Sequence, residues 1–426
     1  MGNHDRSIIW LPGSSPLWKR LRAVSTNHLF SAHGLDAGRA VREAKVRELL
    51  GCIRDHAGET VEVGRVVLSG LFNVVSNVLF SEDVGDLSSG RAQELETLID
   101  DMLVEFAKPN LSDLFPALSV FDLQGRRRRT AERVRRFFDF FDPIISRRMK
   151  AGGEKKADFL DVLLQLHSVD QLSIEIIKSF LLVRTYYALD RLFVYNYCTF
   201  IPFFTMVYED LVQLPIIGTE IILVSKGTET NSLSVEWTMA ELLRHPAAMS
   251  KVQAELQQVL GSKQYPDESD IGRLPYLRAV LMESMRLHPP SPLLMPHEAM
   301  AEGAEVGGFA VPKGAMVIIN LCAVMRDPAA WTQPDEFVPE RFIGVDMDFR
   351  VKDRFEFMPF GAGRRACPGM PMATRVVTLI LASLLHRFQW RLPEGMKPSD
   401  VDVRDRYRTS LNMVTPLKAV PVPLFS

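Results

Sequence analysis

A short loop, PFGAGRRACPG at residues 359–369, places Cys367 among three glycines and two arginines. A thiolate near neutral pH needs a metal or positive surroundings, and Arg364 and Arg365 supply positive charge beside the sulfur. The glycines allow a close approach of the backbone, whose amide groups can point at the sulfur. The helical pattern that begins at Met370 directs the positive end of its dipole toward the same loop. The loop is therefore predicted to hold an anionic sulfur.

On its residues alone, this loop has two other interpretations. A lone cysteine in a glycine-rich turn is more often a buried structural residue than a ligand. A phosphate-binding loop also uses glycines, but the GK[ST] ending that it needs is missing here. The four cysteines lie far apart without a CxxC pair, so neither a zinc knuckle nor a disulfide framework is predicted.

Charge and composition limit the classes of partner. Lys and Arg number 50 against 52 Asp and Glu, a formal net charge of -2, which argues against a chain that binds polyanions as a whole. The basic run GRRRRTAERVRR at 125–136 fits a nucleic-acid patch or a solvated helix face. Acids follow it and no aromatic platform is interleaved, so the helix face is favoured and no nucleic-acid partner is predicted. Residues 1–22 lack the core of a signal peptide and a membrane-spanning run.

The elements that must position Cys367 are mainly helical. Helical periodicity dominates residues 14–182, and further helices are predicted within 228–246, 247–261 and 275–290, where prolines and a glycine mark the ends. Small β elements follow. A hairpin is expected across 304–320 with its turn at residues 312–314, and another within 410–423. Since no repeat is present, residues 1–426 are predicted to form one mainly α domain with small β-sheets.

Five residues of the loop, Phe360, Gly363, Arg365, Cys367 and Gly369, stand at the spacing FxxGxRxCxG. This pattern resembles the haem-binding signature of the cytochrome P450 monooxygenases. The resemblance implies that Cys367 is the axial thiolate ligand of the iron of haem b, and that Arg365 pairs with a haem propionate. It also implies the cytochrome P450 fold and the insertion of one atom of dioxygen into a C–H bond.

A second resemblance involves three charged residues outside the loop. Glu283 and Arg286 are three residues apart and so share a helix face, where exposed ion pairs are common. The apolar surroundings YLRAVLMES favour burial instead. With Arg341 of PERF, the pair resembles the buried Glu-Arg-Arg network of the family. The implied role is fold integrity rather than chemistry, since breaking one side of a buried network is costly.

Residues spread along the chain are similar to the family's other haem contacts. Trp18 and Arg22 form WxxxR on one helix face, and His297 stands where the family has a propionate contact. Glu298 replaces the basic residue that relatives often carry at that position. Residues 291–295 and 410–414 correspond to apolar or small lining of the substrate pocket.

The stretch GTETNS at 227–232 is similar to the oxygen-activating part of the family's long central helix. Thr230 would hydrogen-bond dioxygen, and Glu229 would relay protons toward it. An ordinary helix start with Thr228 as the N-cap is the alternative on these residues alone.

Two departures from the family are expected to matter. The hydrophobic anchor and first elements that plant members carry do not precede Trp18. Residues 184–226 interrupt the central helix, and they hold five of the eight tyrosines with no histidine. We interpret this insert as translated non-coding sequence, with a genuine loop insertion as the alternative. Its last residue, Lys226, stands where relatives have a small residue.

The resemblance extends to partners and location. Segments such as VEWTMAELLRHP at 235–246 are similar to plant members that hydroxylate geraniol and other terpenoids. A small hydrophobic, terpenoid-like substrate is therefore expected, and electrons from NADPH would arrive through cytochrome P450 reductase. Docking is expected at Arg364, Arg375 and Arg387. By resemblance the protein is a monomer at the cytosolic face of the endoplasmic reticulum membrane; the alternative is a non-catalytic, truncated or mis-spliced haem-binding product.

Overall fold

The computed structural model describes residues 8, 11–84, 94, 97–98, 101, 122–150, 156, 158–174, 176–177, 223–407 and 410–425. Residues 184–222 of the predicted insert lie outside this description, as does the side chain of Lys226. The hypotheses about the origin of the insert and about Lys226 therefore stay predictions.

The chain divides into two compact units. The first comprises Met1–Asp55, Gly64–Ser232 and Pro371–Val376, and the second comprises His56–Val63, Leu233–Met370 and Val377–Ser426. The prediction of a single domain over residues 1–426 stays a prediction.

Helices make up most of the described structure, as the sequence predicts. Prolines stand in the first turn of several of them, where the missing N–H costs no hydrogen bond. The helices are α1 (Pro16–His28), α2 (Ala32–Ala37), α3 (Arg39–Asp55), α4 (Val63–Phe80), α5 (Arg126–Lys150), α6 (Phe159–Ser168), α7 (Leu223–Arg244), α8 (Pro246–Leu260), α9 (Pro275–Leu287), α10 (Leu321–Met325) and α11 (Met370–Arg387).

The strands are short and form small antiparallel sheets. They are β1 (Val61–Glu62), β2 (His297–Glu298), β3 (Ala304–Val306), β4 (Phe309–Val311), β5 (Met316–Val317), β6 (Phe388–Arg391), β7 (Asp405–Tyr407), β8 (Leu411–Met413) and β9 (Lys418–Pro423). Strand β9 lies between β1 and β6, and the other sheets pair β2 with β5, β3 with β4, and β7 with β8.

Both predicted hairpins are wrong in their pairing. The hairpin turn lies at Gly307 and Gly308, whose φ angles of 58° and 84° suit a tight two-residue turn. Residues 312–314 do turn the chain, since Ala315 N donates to Pro312 O at 3.0 Å, but they direct β5 to β2 instead of β4. In the C-terminal segment, β8 pairs with β7 while β9 joins β1 and β6.

The core of the first unit is an apolar cluster built from α1, α4, α5 and α6. It includes Trp18, Phe72, Phe80, Phe141 and Leu160, all buried. Helix α4 is long and apolar enough by composition to cross a membrane, with a mean hydropathy of 1.6, yet 61% of it is buried within the described structure. Its apolar character is accounted for by core packing.

Two exposed arginines of 125–136 pair with acids in the first unit. Arg135 bonds to Glu132 at 2.7 Å, and Arg136 reaches Glu94 at 2.9 Å. These exposed pairs are typical of a solvated helix face. The absence of a nucleic-acid partner stays a prediction.

In the second unit, α9 is buried along most of its length. Its N-terminus is capped by Glu255 of α8, whose carboxylate accepts hydrogen bonds from the backbone N–H groups of Tyr276 at 2.7 Å and Leu277 at 2.9 Å. A carboxylate there also offsets the positive end of the helix dipole. This contact fixes α8 against the helix that carries Glu283 and Arg286.

Candidate active site

The loop around Cys367 is closed by backbone hydrogen bonds. Cys367 N donates to Phe360 O at 2.9 Å, and Gly361 N donates to Met358 O at 2.9 Å. Gly361 and Gly363 have φ angles of 69° and 70°, in the left-handed region where a side chain would be strained. The loop therefore has a fixed path that favours glycine at these two positions.

The Cys367 thiol is exposed at the start of a long helix. The 18-residue helix α11 begins at Met370, directly after Gly369, so its positive dipole end lies on the side of the cysteine. Arg364 is exposed beside it and Arg365 is half-buried. The interpretation of Cys367 as a buried structural cysteine is wrong, because burial is what that interpretation requires.

Two of the three arginines expected at a docking surface have partners of their own. Arg375 pairs with Asp36 of α2 at 3.1 Å within the first unit. Arg387 is only 5% exposed, and its guanidinium lies between the rings of Tyr265 and Phe425 at 5.0 and 5.1 Å. The expectation that Arg387 contributes to docking is therefore wrong, since its charge is held inside the second unit.

The segment predicted to line a pocket lies against the cysteine loop. The two methyl carbons of Leu294 lie 3.5 Å from the position that a Cβ on Gly361 would take, so the two segments are in close contact. Farther along the segment, His297 pairs with Val317 in the β2–β5 ladder. Its Nδ1 is buried and has no hydrogen-bond partner within the described residues. Glu298 is exposed.

The three charged residues predicted to form a network do so. Glu283 and Arg286 are fully buried and form a bidentate pair, with Nε–Oε2 at 2.7 Å and Nη2–Oε1 at 2.9 Å. Arg341 reaches the same carboxylate at 3.2 Å, and Val338 N donates to it at 2.9 Å. Each carboxylate oxygen is thus satisfied, as a buried charge requires.

The arginines of this network also bind the irregular chain that leads to Arg341. Arg286 donates to the carbonyls of Met325 at 3.0 Å, Pro334 at 2.6 Å and Glu336 at 3.1 Å. Arg341 donates to the carbonyls of Thr332 and Gln333. The network is therefore a structural lock on residues 325–341, as the sequence predicts.

The remaining predicted residues lie in the first unit. Trp18 and Arg22 are on α1, where Trp18 is 7% exposed and belongs to the apolar core. Met372 of α11 packs against the same core. Arg22 is half-buried one turn after Trp18. Their roles as propionate contacts stay predictions.

Glu229 and Thr230 lie inside α7, with Glu229 buried and Thr230 half-buried. The helix begins at Leu223, so Thr228 is an interior residue and the N-cap interpretation is wrong. Within the same unit, Ser232 Oγ donates to Gly64 O at 2.7 Å, which fixes α7 against the start of α4. The catalytic roles of Glu229 and Thr230 stay predictions.

Sequence reasoning missed a buried aromatic and acid–base cluster in the second unit. The rings of Trp237 and His288 stack at 4.0 Å with an interplanar angle of 4°. His288 Nε2 lies 2.6 Å from Glu241 Oε1, and His245 Nδ1 lies 3.4 Å from Glu241 Oε2. Burial raises the pKa of Glu241, but the hydrogen bonds from His245 and His288 outweigh burial and lower it to about 2. Trp237, Glu241 and His245 follow one another at i,i+4 spacing on α7 and just beyond it, but no local pattern links them to His288, which directly follows α9.

This cluster gives a pH prediction. The hydrogen bond to Glu241 raises the pKa of His245 above its ordinary 6.5. A histidine whose pKa is higher in the folded state stabilises the fold when it is protonated. This stabilisation is fully present below pH 6.5 and is lost as the pH rises through the pKa of the folded state. We expect the free energy of unfolding to fall by a few tenths to about 1 kcal/mol over that rise, since His245 is partly exposed. At the acid end, the contribution of Glu241 is present above 4.5 and lost toward pH 2.

Urea unfolding on both sides of this transition measures the effect. His245→Gln should remove the alkaline loss, whereas His33→Gln, at an exposed position on α2, should keep it. An unchanged alkaline loss in His245→Gln would contradict the assignment.

Comparison with known proteins identifies the family of this chain. The family model for cytochrome P450 matches residues 2–183 and 214–416. The chain belongs to the cytochrome P450 family. It is therefore a cytochrome P450 monooxygenase, and the fold predicted from the cysteine loop is confirmed. The match leaves out residues 184–213, which lie within the predicted insert.

Relatives extend over nearly the whole chain. Cytochrome P450 76M5 of Oryza sativa subsp. japonica is 47% identical over 425 residues, covering 99% of this chain and 76% of the relative. Ent-cassadiene C11-alpha-hydroxylase 1 of the same plant is 45% identical, covering 99% and 77%. Geraniol 8-hydroxylase of Catharanthus roseus is 39% identical, covering 98% and 78%. A zebra fish cytochrome P450 solved with abiraterone has a TM-score of 0.73 at 25% identity, covering 98% of this chain and 84% of that one.

The residues of this cytochrome P450 fit the haem that the family implies. Cys367 presents an exposed sulfur at the positive end of α11, which suits a thiolate ligand. Apart from Gly363 and its two chain neighbours, no heavy atom of the described residues lies within 4 Å of the position that a Cβ on Gly363 would take, so there is open space beside the loop. The buried, unpartnered Nδ1 of His297 is suited to bond a propionate. These residues therefore offer a thiolate ligand for the iron of haem b and a hydrogen-bonding group for one of its negatively charged propionates.

Proposed function

We propose that this monooxygenase hydroxylates a small, terpenoid-like substrate at a haem held by Cys367. The observation that carries the proposal is the exposed thiol in a backbone-fixed loop at the start of α11. When bound, haem supplies an iron centre that activates dioxygen for insertion of one oxygen atom into a C–H bond.

The chain's own residues would bind the cofactor and move protons. Cys367 would supply the thiolate ligand, and by resemblance to the family Arg365, His297, Trp18 and Arg22 would hold the propionates by charge and hydrogen bonds. Phe360, Gly363 and Gly369 shape the loop. The Thr230 hydroxyl would orient the bound reactant by a hydrogen bond, and the Glu229 carboxylate would relay a proton to it.

The substrate class is inferred from the pocket lining and from relatives. Leu293, Leu294 and Met295 are apolar, and so are Leu411 and Met413 of β8. An apolar lining binds a hydrophobic molecule by removing its surface from water. Named relatives act on geraniol and on ent-cassadiene. We propose substrates of this chemical class, and we propose the endoplasmic reticulum membrane as the location on family grounds.

A carbon monoxide difference spectrum of the reduced, expressed chain tests the proposal, followed by a product assay with geraniol and ent-cassadiene. We expect a thiolate-type Soret band and a hydroxylated product from at least one of the two compounds. A thiolate-type band without any product supports the second candidate, a haem-binding but non-catalytic product. Absence of haem uptake would overturn both.

We further propose that NADPH-dependent reductase docks at Arg364, which is exposed beside Cys367. Arg364→Glu should raise the KM for the reductase by roughly tenfold at low ionic strength, because a repulsive charge slows association. Turnover driven by cumene hydroperoxide, which needs no reductase, shows how far the reversed charge affects the Cys367 loop itself, and the rise in KM should exceed any change in that turnover. Steady-state kinetics with each electron source measures both.

The matched control for docking is Arg391→Glu, which reverses another exposed arginine of the second unit. It should leave the KM for the reductase unchanged. A parental KM in Arg364→Glu, or an equal change in Arg391→Glu, would refute docking at Arg364.

A further inference from the structure

Trp237 connects two segments of the proposed substrate pocket in the second unit. Its side chain is fully buried, and its indole Nε1 donates to Leu411 O at 2.9 Å. Leu411 N in turn donates to Pro290 O at 3.0 Å. The first of these bonds joins α7 to β8, and the second joins β8 to the segment that follows α9.

One face of the Trp237 ring is covered by His288. The two rings are stacked within 4° of parallel, and Pro289 and Pro290 directly follow His288 in the chain. Because proline fixes its own φ angle, the chain from His288 to Pro290 has few alternative paths, and the stacked His288 ring holds the start of this path against Trp237. Trp237 thus closes a ring of contacts through His288, Pro290 and Leu411.

Glu241 holds His288 in this position. His288 Nε2 lies 2.6 Å from the Glu241 carboxylate, while its Nδ1 is buried with no hydrogen-bond partner among the residues that the structure describes. A carboxylate only accepts, so Nε2 carries the proton. This bond fixes the rotation of the imidazole and keeps it parallel to the indole.

A second series of contacts leads from the segment after Pro290 to the cysteine loop. Leu321 N donates to Pro292 O at 2.9 Å, and Leu294 N donates to Ile319 O at 3.1 Å. The Leu294 side chain then lies against Gly361 of the loop that carries Cys367. A shift of the Trp237 ring would therefore be transmitted through tightly packed groups to Leu294.

We propose that Trp237 is a positioning residue that sets the shape of the substrate pocket by holding segments 290–294 and 410–413 together. The inference rests on the proposed function for the identity of the pocket. It assigns Trp237 no contact with the substrate and no part in the chemistry.

Two haem ligands of different size test this role without requiring turnover. Imidazole reaches little beyond the iron, whereas 4-phenylimidazole extends into the pocket. Trp237→Phe keeps a ring against His288 but removes the Nε1 bond to Leu411. We expect its Kd for 4-phenylimidazole to change by at least about fivefold while that for imidazole stays at the parent value. Optical titration of the Soret band measures both.

The matched control is Trp390→Phe, since Trp390 also donates one buried indole bond, to Leu384 O at 3.1 Å. Trp390→Phe should leave both Kd values unchanged. A parental Kd for 4-phenylimidazole in Trp237→Phe, or an equal change in the control, overturns the proposal. If Trp237→Phe takes up no haem, His288→Phe serves instead, because it keeps the stacked ring and loses the Glu241 bond. An unaltered 4-phenylimidazole Kd in that variant also overturns the proposal.

Hydrogen–deuterium exchange of segments 290–294 and 410–413 needs neither haem nor substrate. Both segments should exchange faster in Trp237→Phe than in the parent, and Trp390→Phe should match the parent. Equal exchange in all three chains overturns the proposal. A parent that binds both imidazoles but hydroxylates neither terpenoid contradicts the proposed function alone, so the two failures are distinguishable.

Discussion

Cys367→Ser is expected to abolish substrate turnover and the thiolate-type Soret band of the carbon monoxide complex. A serine hydroxyl keeps the size and the backbone hydrogen bond of this position, but it does not ionise near neutral pH as a thiol can. The variant therefore removes electron donation by sulfur and leaves the loop intact. Difference spectroscopy and product analysis on the purified protein measure the two effects.

Cys322→Ser is the control for this experiment. Cys322 lies on α10, and burial raises the pKa of its thiol despite the opposing effect of Arg326, so it is a neutral, structural cysteine. Its replacement should keep both the thiolate-type band and turnover. A thiolate-type band that survives in Cys367→Ser would show that another residue binds the iron.

Arg286→Ala is expected to destabilise the fold by about 3–5 kcal/mol, because it leaves the Glu283 carboxylate buried without its bidentate partner. The variant also frees the carbonyls of Met325, Pro334 and Glu336. Most of the expressed chain should then fail to take up haem. Thermal unfolding and the yield of haem-loaded protein measure the loss.

Arg273→Ala provides a matched comparison, since Arg273 forms an i,i+3 pair with Asp270 at 2.5 Å but is 60% exposed. Asp270 also keeps Lys263 at 2.5 Å. The expected loss is at most about 1 kcal/mol. The loss of stability in Arg286→Lys should lie between those of the two alanine variants, because a lysine keeps the positive charge but cannot form the bidentate pair of the planar guanidinium. Equal losses in Arg286→Ala and Arg273→Ala would contradict the assigned importance of burial.

The features that could be predicted from the sequence are those that depend on residues a few positions apart. The FxxGxRxCxG pattern fixes which residues share the loop, and the interval between Glu283 and Arg286 fixes that they share a helix face. The helix ends near Pro246, Gly261 and Pro275 follow from the same local chemistry. Propensity and backbone geometry act within a few residues, so such patterns are visible in the chain itself.

Strand partners and long-range polar contacts could not be predicted in this way. Residues 312–314 do form a turn, but nothing in their own sequence specifies that β5 pairs with β2. The stack of Trp237 on His288 and the burial of Arg387 depend on the packing of distant segments, which no periodicity encodes. These are cases in which tertiary context decides between locally equivalent alternatives.

The guanidinium groups of Arg286 and Arg341 bind residues 325–336 mainly through main-chain carbonyls, and Trp331 adds a side-chain contact, with its ring 5.0 Å from the Arg286 guanidinium. Every residue type carries such a carbonyl, so the grip is indifferent to the identity of the residue that presents it. The positions of this stretch that are held only through their carbonyls can therefore change their amino acids and keep the path of the chain, whereas the buried Trp331 cannot. The two arginines thus hold the backbone of this segment in place without specifying the side chains at the carbonyls that they bind.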